Sequence, residues 1–149
     1  MTDWDKVPKE FLAGWLNTLL ESIQQNLDEE TRQKIFNETG SYCANAHIAS
    51  LFKEIKTESN DPKRLVEILN EKLKGTKWEL VDDNKLKVIY ERCYCPLIGT
   101  KVVKSEVQCD CSVGWLKENL EILFNKEVQV ELQGSVVRGA NQCTFLVNF

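Results

Sequence analysis

The sequence predicts an α+β fold in which N-terminal helices precede a mostly antiparallel sheet that is crossed by one further helix. Three observations carry this prediction. The first half of the chain repeats apolar residues at helical spacing, and the pattern changes to strand-like alternation after Gly75. A helical stripe then returns once, between Ser112 and Phe124. Because no internal repeat or low-complexity linker divides the 149 residues, one domain spanning 1–149 is expected.

Four helices are predicted before the sheet. They begin at a proline, an aspartate or a serine, residues that suit a helix N-terminus. Gly40 is expected to end the second helix, Ser41 to cap the third, and Gly75 to end the fourth. The expected extents of the four helices are residues 8–27, 28–40, 41–55 and 61–75.

Strand patterns follow. Residues 78–81 and 86–90 flank the turn-forming cluster Asp82-Asp83-Asn84, which predicts a hairpin. After the helix that Ser112 caps, residues 128–132 and 143–149 alternate as strands.

The composition excludes several classes of function. An apolar fraction of 42% is ordinary for a soluble domain, and no apolar run approaches the ~20 residues of a membrane span. The start of the chain lacks the basic and apolar segments of a signal peptide, so a cytoplasmic location is expected, where thiols stay reduced. A net charge of −4 without a basic block argues against a nucleic-acid partner.

Two Cys-x-Cys pairs carry most of the chemistry that the sequence shows. In extended chain, Cys93 and Cys95 point to one side, and so do Cys109 and Cys111. If the segment folded back near Val102 as a hairpin, Cys93 would oppose Cys111 and Cys95 would oppose Cys109. Opposed residues lie about 4.5–5.5 Å apart, so the four thiols would crowd one face.

Such a cluster binds a metal, forms disulfides or does redox chemistry. A cytoplasmic location favours metal, with zinc as the first expectation and an iron–sulfur cluster as the alternative. The pairs leave one residue between the cysteines, whereas structural zinc pairs usually leave two to four. The simplest alternative is that each cysteine is a small buried hydrophobe.

Further candidate residues lie outside these pairs. Cys43 and His47 are four residues apart on a predicted helix, which suits a metal pair, an activated cysteine nucleophile, or a polar residue at a helix seam. The expected helix N-terminus beside Cys109 and Cys111 favours thiolates. Trp115 and Cys143 are expected either in the core or beside a ligand pocket.

The cysteine motifs also carry a resemblance to a known family. The runs at 93–96, 109–117, 128–132 and 139–145 resemble small proteins similar to L-2-amino-thiazoline-4-carboxylic acid hydrolase, and more distantly the vinyl-4-reductase-like ligand-binding domain. Residues 40–44 match a helical Gly-Arg-x-Cys-Ala element, with Ser41 in place of arginine. The resemblance covers roughly residues 40–149 and implies an α+β fold with a hydrophobic ligand pocket and a cysteine-bearing site.

These observations lead to three hypotheses. The first is a small-molecule-binding protein with a metal site at Cys93, Cys95, Cys109 and Cys111 and a pocket near Trp115 and Cys143. The second is a hydrolase of a small cyclic amidine or amide that uses Cys43 and His47 or a zinc-bound water. The third is a metal-stapled interaction module without catalysis. In each case residues 1–40 form a helical extension that packs on the core at 41–149 or serves as a dimer surface.

Overall fold

Two aspartates begin helices where the sequence predicts them. In the computed structural model, which describes residues 6–149, the carboxylate of Asp28 accepts a hydrogen bond from Thr31 N at 2.9 Å. The carboxylate of Asp61 accepts one from Lys63 N at 3.2 Å, with Pro62 at the first helical position. The helices of the described residues are α1 Lys9–Asn26, α2 Glu29–His47, α3 Ala49–Glu58, α4 Pro62–Lys72, α5 Pro96–Gly99 and α6 Cys109–Phe124.

The strands form one antiparallel sheet, which confirms the predicted α+β class. Its order is β1-β2-β4-β3, so β2 and β4 are central. In the central ladder Tyr90 pairs with Cys143 and Leu86 with Val147. The four strands are β1 Thr76–Asp82, β2 Lys85–Tyr90, β3 Gln129–Gly134 and β4 Cys143–Asn148.

Two apolar cores hold these elements together. The larger core lies between the inner face of the sheet and α3, α4 and α6, and its fully buried members include Phe52, Leu116 and Phe145. The smaller core joins α1 and α2 to the segment before α6 through Leu20, Phe36, Val103 and Val107. Within residues 6–149, no helix has the length and apolar content needed to cross a membrane.

The prediction that Gly40 ends a helix is wrong. Helix α2 continues through Gly40 to His47, and the next helix begins at Ala49 rather than after Ser41. A Cβ atom at Gly40 would lie 2.4 Å from the backbone oxygen of Cys111, and one at Gly114 would lie 2.5 Å from the Cα of Asn37. The two glycines therefore let α2 and α6 cross with their backbones in contact, which brings Cys43 toward the start of α6.

The predicted cysteine hairpin is also wrong. Cys93 and Cys95 lie in the loop after β2, Pro96 opens the short helix α5, and Cys109 is the first residue of α6. A 3-10 turn, Glu106–Gln108, runs directly into α6, so the helix begins three residues earlier than the predicted cap at Ser112. The two cysteine pairs are therefore not partners in a β ladder.

Candidate functional site

The six cysteines are all free thiols, and they gather around the N-terminal end of α6. They form two groups that are connected through Cys93 and Cys95, because the pKa of Cys93 is affected by Cys95 as well as by Cys143. The α2 group contains Cys43, Cys95 and Cys111, whose charges influence one another. The sheet group contains Cys93, Cys109 and Cys143.

The α2 group lies where α2 crosses α6. Cys43 and Cys111 come from the two crossing helices, and Thr39 Oγ1 donates a hydrogen bond to Cys111 Sγ at 3.6 Å. Burial raises the pKa of Cys111, the hydrogen bond from Thr39 partly opposes that rise, and the nearby Cys43 and Cys95 add to it. Burial, followed by the nearby Cys95, also raises the pKa of Cys43.

The sheet group is more deeply placed, because Cys109 and Cys143 are both buried. The turn after β3 covers it: Ser135 Oγ lies 3.3 Å from Cys109 Sγ, and Val136 N donates to Cys143 Sγ at 3.4 Å. Burial raises the pKa of Cys109, although Ser135 and the positive charge of Arg138 oppose that rise. The expectation that the helix N-terminus favours thiolates stays a prediction, and burial acts in the opposite direction.

Tyr94 holds the loop that carries Cys93 and Cys95. Its hydroxyl donates to Gly75 O at 3.2 Å, and its ring meets the Tyr90 ring edge-on at 6.1 Å. A Cβ at Gly75 would lie 1.9 Å from the Tyr94 hydroxyl, and the φ of Gly75 is +79°, so only glycine fits this contact.

An aromatic cluster lies directly beside the sheet group. The Tyr90 ring contacts Trp115 at 6.3 Å and Phe145 at 5.1 Å between ring centres. Because Tyr90 opposes Cys143 in the β2–β4 ladder, its side chain stands next to that thiol. The Tyr90 hydroxyl is buried and has no hydrogen-bond partner among residues 6–149. Burial, followed by the neighbouring Cys143, raises its pKa well above the ordinary value.

An ion pair holds the turn after β3, which carries Ser135, Val136 and Arg138 and which we call the cover, against the sheet group. Arg138, in the turn after β3, donates through Nη2 to Asp110 Oδ1 at 2.9 Å and to Glu106 O at 3.3 Å. On the other side of Asp110, Arg32 Nε lies 3.3 Å from Oδ2, an ion pair without the alignment of a hydrogen bond. One carboxylate thus ties α2 and the turn after β3 to the first turn of α6.

The predicted catalytic residues Cys43 and His47 both lie on α2, but their side chains are in different surroundings. Cys43 is half-buried, whereas His47 is exposed in the last turn of α2. Among the described residues, no hydrogen bond joins the imidazole to the thiol. The hypothesis that His47 activates Cys43 remains a prediction.

The four predicted metal ligands fall into different groups. Cys95 and Cys111 belong to the α2 group, whereas Cys93 and Cys109 belong to the sheet group. Residues 6–149 hold no set of three or more histidine, cysteine, aspartate or glutamate side chains arranged to bind a metal ion. Zinc and an iron–sulfur cluster therefore remain predictions from the sequence.

The two predicted pocket residues, Trp115 and Cys143, both contact or neighbour Tyr90. Tyr90 itself, Ser135 and Arg138 were not predicted as site residues. The alternation of Leu86, Val88 and Tyr90 indicates that Tyr90 points inward, but its neighbours depend on the β2–β4 register.

Several solved structures of distant proteins are similar to this chain. The phenol-responsive sensory domain of the transcription activator PoxR, solved with phenol, is 17% identical, with a TM-score of 0.59 over 92% of this chain and 73% of that chain. A trafficking protein particle complex subunit 3 from Naegleria fowleri, covalently bound to palmitic acid, is 13% identical, with a TM-score of 0.51 over 94% and 93%. A vinyl-4-reductase family protein from Methanocaldococcus jannaschii is 14% identical, with a TM-score of 0.43 over 96% and 82%.

At these identities, the first two structures show similarity of fold alone. No curated protein sequence matches the chain at a significant level. The model of one sequence family matches residues 5–148, nearly the whole chain. The chain therefore belongs to the family of unknown function DUF6144.

Proposed function

We propose that the protein binds a small, mostly apolar molecule that carries one hydrogen-bonding group, and that this ligand lies against Tyr90 beside the sheet group of thiols. The unpartnered Tyr90 hydroxyl carries the proposal. A buried polar group without a partner costs about 1–3 kcal/mol, and most native proteins avoid it. A ligand atom that hydrogen-bonds this hydroxyl recovers that cost.

The surroundings of Tyr90 determine the class of ligand. Trp115 and Phe145 offer aromatic surface, and the thiol of Cys143 beside Tyr90 is weakly polar. Burial raises the pKa of the nearby Cys109, which keeps that thiol protonated at neutral pH. Such a lining favours an aromatic or aliphatic body over a charged molecule.

Two proteins of similar fold support an apolar ligand with one polar group. One is a sensory domain solved with phenol, and another is a subunit bound to palmitic acid. Both ligands combine an apolar body with one polar group. Because these proteins share little sequence with this chain, phenol serves here as a probe and not as an assigned ligand.

Access requires a movement of the cover. The two clearest surface depressions of the described residues lie along α2 and between α2 and α6, and neither contains a cysteine or Tyr90. The turn that carries Ser135, Val136 and Arg138 lies over the sheet group. We infer that the ligand enters when this turn lifts away from Cys109 and Cys143.

The test compares phenol with benzene, which has the same ring and no hydroxyl. Isothermal titration of the full chain is expected to show that phenol binds more tightly than benzene. The variant Tyr90→Phe is expected to weaken phenol binding about 2- to 10-fold and to leave benzene binding unchanged, because it removes one hydrogen bond. Tyr42→Phe, at an exposed position of α2, is the matched control.

Two results contradict the proposal. One is the absence of phenol binding up to its solubility limit. The other is phenol binding that Tyr90→Phe and Trp115→Ala both leave unchanged.

A zinc site is a second candidate, because all six cysteines are free thiols and the ionised forms of several of them influence one another. Elemental analysis of protein purified without oxygen or an affinity tag tests it, alongside a free-thiol count. About one zinc per chain, with most thiols protected, supports the site. The next test of the hydrolase hypothesis is then whether the zinc keeps an open coordination position. An absence of metal together with six free thiols contradicts it.

The cysteine-nucleophile form of the hydrolase hypothesis has less support. A nucleophilic thiol needs a lowered pKa or an adjacent base, whereas burial raises the pKa of Cys43, and His47 makes no hydrogen bond to it. Hydrolysis of a cyclic amidine that Cys43→Ser abolishes, with metal content unchanged, would restore that form of the hypothesis.

A further inference from the structure

The outward face of α1 is apolar and exposed. Phe11, Leu12, Trp15 and Leu19 are exposed to 62%, 55%, 62% and 40% of their surface. Phe11, Trp15 and Leu19 are spaced by about one helical turn, and Leu12 lies beside them, so the four form a single stripe along the helix. This outer stripe flanks the side on which Leu20, Leu16 and Ile23 pack into the smaller core.

Helix α1 is held to the rest of the protein by few contacts. Of its 18 residues, Leu20 is the one that is buried. Asn17 adds two hydrogen bonds, from its side-chain nitrogen to Val102 O and from Lys104 N to its oxygen, each of 2.8 Å. Most of the stability of a helix in a protein comes from the packing of its apolar face, so burial of the outer stripe would add directly to the stability of α1.

We propose that the outer stripe is the interface of a homodimer, in which α1 of one copy packs antiparallel against α1 of a second copy. The area fits this assignment. The four side chains expose on the order of 400 Å² of apolar surface, since each large aromatic side chain alone buries about 150–250 Å². A standard interface buries about 800 Å² per partner, of which somewhat more than half is apolar.

The stripe is also complementary to itself. A two-fold axis requires that one patch match its own copy. With Trp15 on the axis, an antiparallel partner places its Leu19 level with Phe11 and its Trp15 against Trp15. No residue from 11 to 20 is charged, so no like charges meet at the centre of this pairing.

Sedimentation velocity of the full chain over a range of concentrations tests the proposal. Wild-type protein is expected to be dimeric at micromolar concentration and to dissociate on dilution. Trp15→Glu is expected to raise the dissociation constant at least about 30-fold, because it places a charge at the centre of the interface. Tyr42→Glu is the matched control, since Tyr42 is 78% exposed but lies on α2 outside the stripe, and it is expected to leave the dimer intact.

Far-UV circular dichroism verifies that each variant keeps its helices. Two results overturn the proposal: wild-type protein that is monomeric throughout the concentration range, or a Trp15→Glu variant that dimerises as wild type does.

A charge exchange tests the antiparallel direction. Phe11→Lys and Leu19→Glu are each expected to weaken the dimer, because each places a charge against an apolar partner. The double variant is expected to dimerise more tightly than either single variant, since the introduced lysine then lies level with the introduced glutamate of the second copy. A parallel arrangement would bring like charges together, so a double variant weaker than both single variants overturns the antiparallel pairing.

Discussion

Gly40 and Gly114 lie at the point where α2 and α6 cross, and each takes the place where a side chain would meet the other helix's backbone. The contact fixes how Cys43 approaches Cys111. Because the obstructing atoms are main-chain atoms of well-packed helices, they have little freedom to move aside.

Gly40→Ala is expected to lower the free energy of unfolding by about 2–4 kcal/mol, at or above the upper end of ordinary overpacking, because both helices must shift. Urea denaturation measures the change. Gly99→Ala is the control, since a Cβ there meets no atom within 4 Å, and it is expected to change stability by less than about 1 kcal/mol. Equal effects of the two substitutions would contradict the close contact.

Opening of the bridge between Arg138 and Asp110 is expected to expose the sheet group. Arg138→Ala removes the ion pair and the hydrogen bond to Glu106, so the turn after β3 should lift more often. Alkylation of Cys109 and Cys143 by N-ethylmaleimide, followed by peptide mass spectrometry, is expected to be several-fold faster than in wild type.

Arg64→Ala is the control for this experiment, because Arg64 forms an exposed ion pair with Glu67 on α4. Global stability should change by no more than about 1 kcal/mol in either variant, as is usual for ion pairs near the surface. An unchanged alkylation rate at Cys109 in Arg138→Ala would show that the bridge does not hold the cover.

The protein is expected to lose stability as the pH rises above about 9. Burial raises the pKa of Cys43, Cys93, Cys109 and Cys111 above the ordinary thiol value of 9.0. Above that value the unfolded chain releases protons that the folded chain retains, so deprotonation favours unfolding. The stabilisation is fully present below the unfolded-state pKa and is lost as the pH rises through the folded-state values.

Urea denaturation between pH 7.5 and 10.5, with reductant and chelator, measures this dependence. Cys109→Ser should make it shallower, because serine does not titrate in this range. A free energy of unfolding that rises with pH over this interval would show that the thiolates, and not the thiols, are favoured in the folded state.

Removal of the unpartnered hydroxyl is expected to stabilise the ligand-free protein. Tyr90→Phe deletes a buried group that has no hydrogen bond and leaves the ring contacts with Trp115 and Phe145 in place. A gain of about 1 kcal/mol in thermal or urea unfolding is expected. Tyr94→Phe provides the opposite case, since it breaks the hydrogen bond to Gly75, and a loss of about 0.5–1.5 kcal/mol is expected.

The local signals in the sequence predicted much of the fold. Asp28 and Asp61 are helix caps, the turn at residues 82–84 joins a hairpin, and the alternation after Cys143 is a strand. Each of these depends on neighbours within a few residues, which is the range over which capping and turn preferences act.

The errors arose where a residue's role depends on a distant segment. Gly40 has the residue type of a helix end, but it is needed because α6 passes there. Ser112 has the residue type of a cap, but the 3-10 turn before Cys109 already directs the chain into a helix. For the same reason the sequence indicated that cysteines matter, but not that Cys109 meets Ser135 or that Tyr90 lies beside Cys143.

The order of the strands has a consequence for how the protein folds. The neighbours β2 and β4 at the middle of the sheet are far apart along the chain, with α5, α6 and β3 between them. Pairing across so long a loop is slow, whereas the β1–β2 hairpin closes locally. During synthesis on the ribosome, Tyr90 therefore has β1 on one side but no strand on the other until β4 has been made, and the thiols of Cys93 and Cys109 lack their neighbour Cys143 up to that moment.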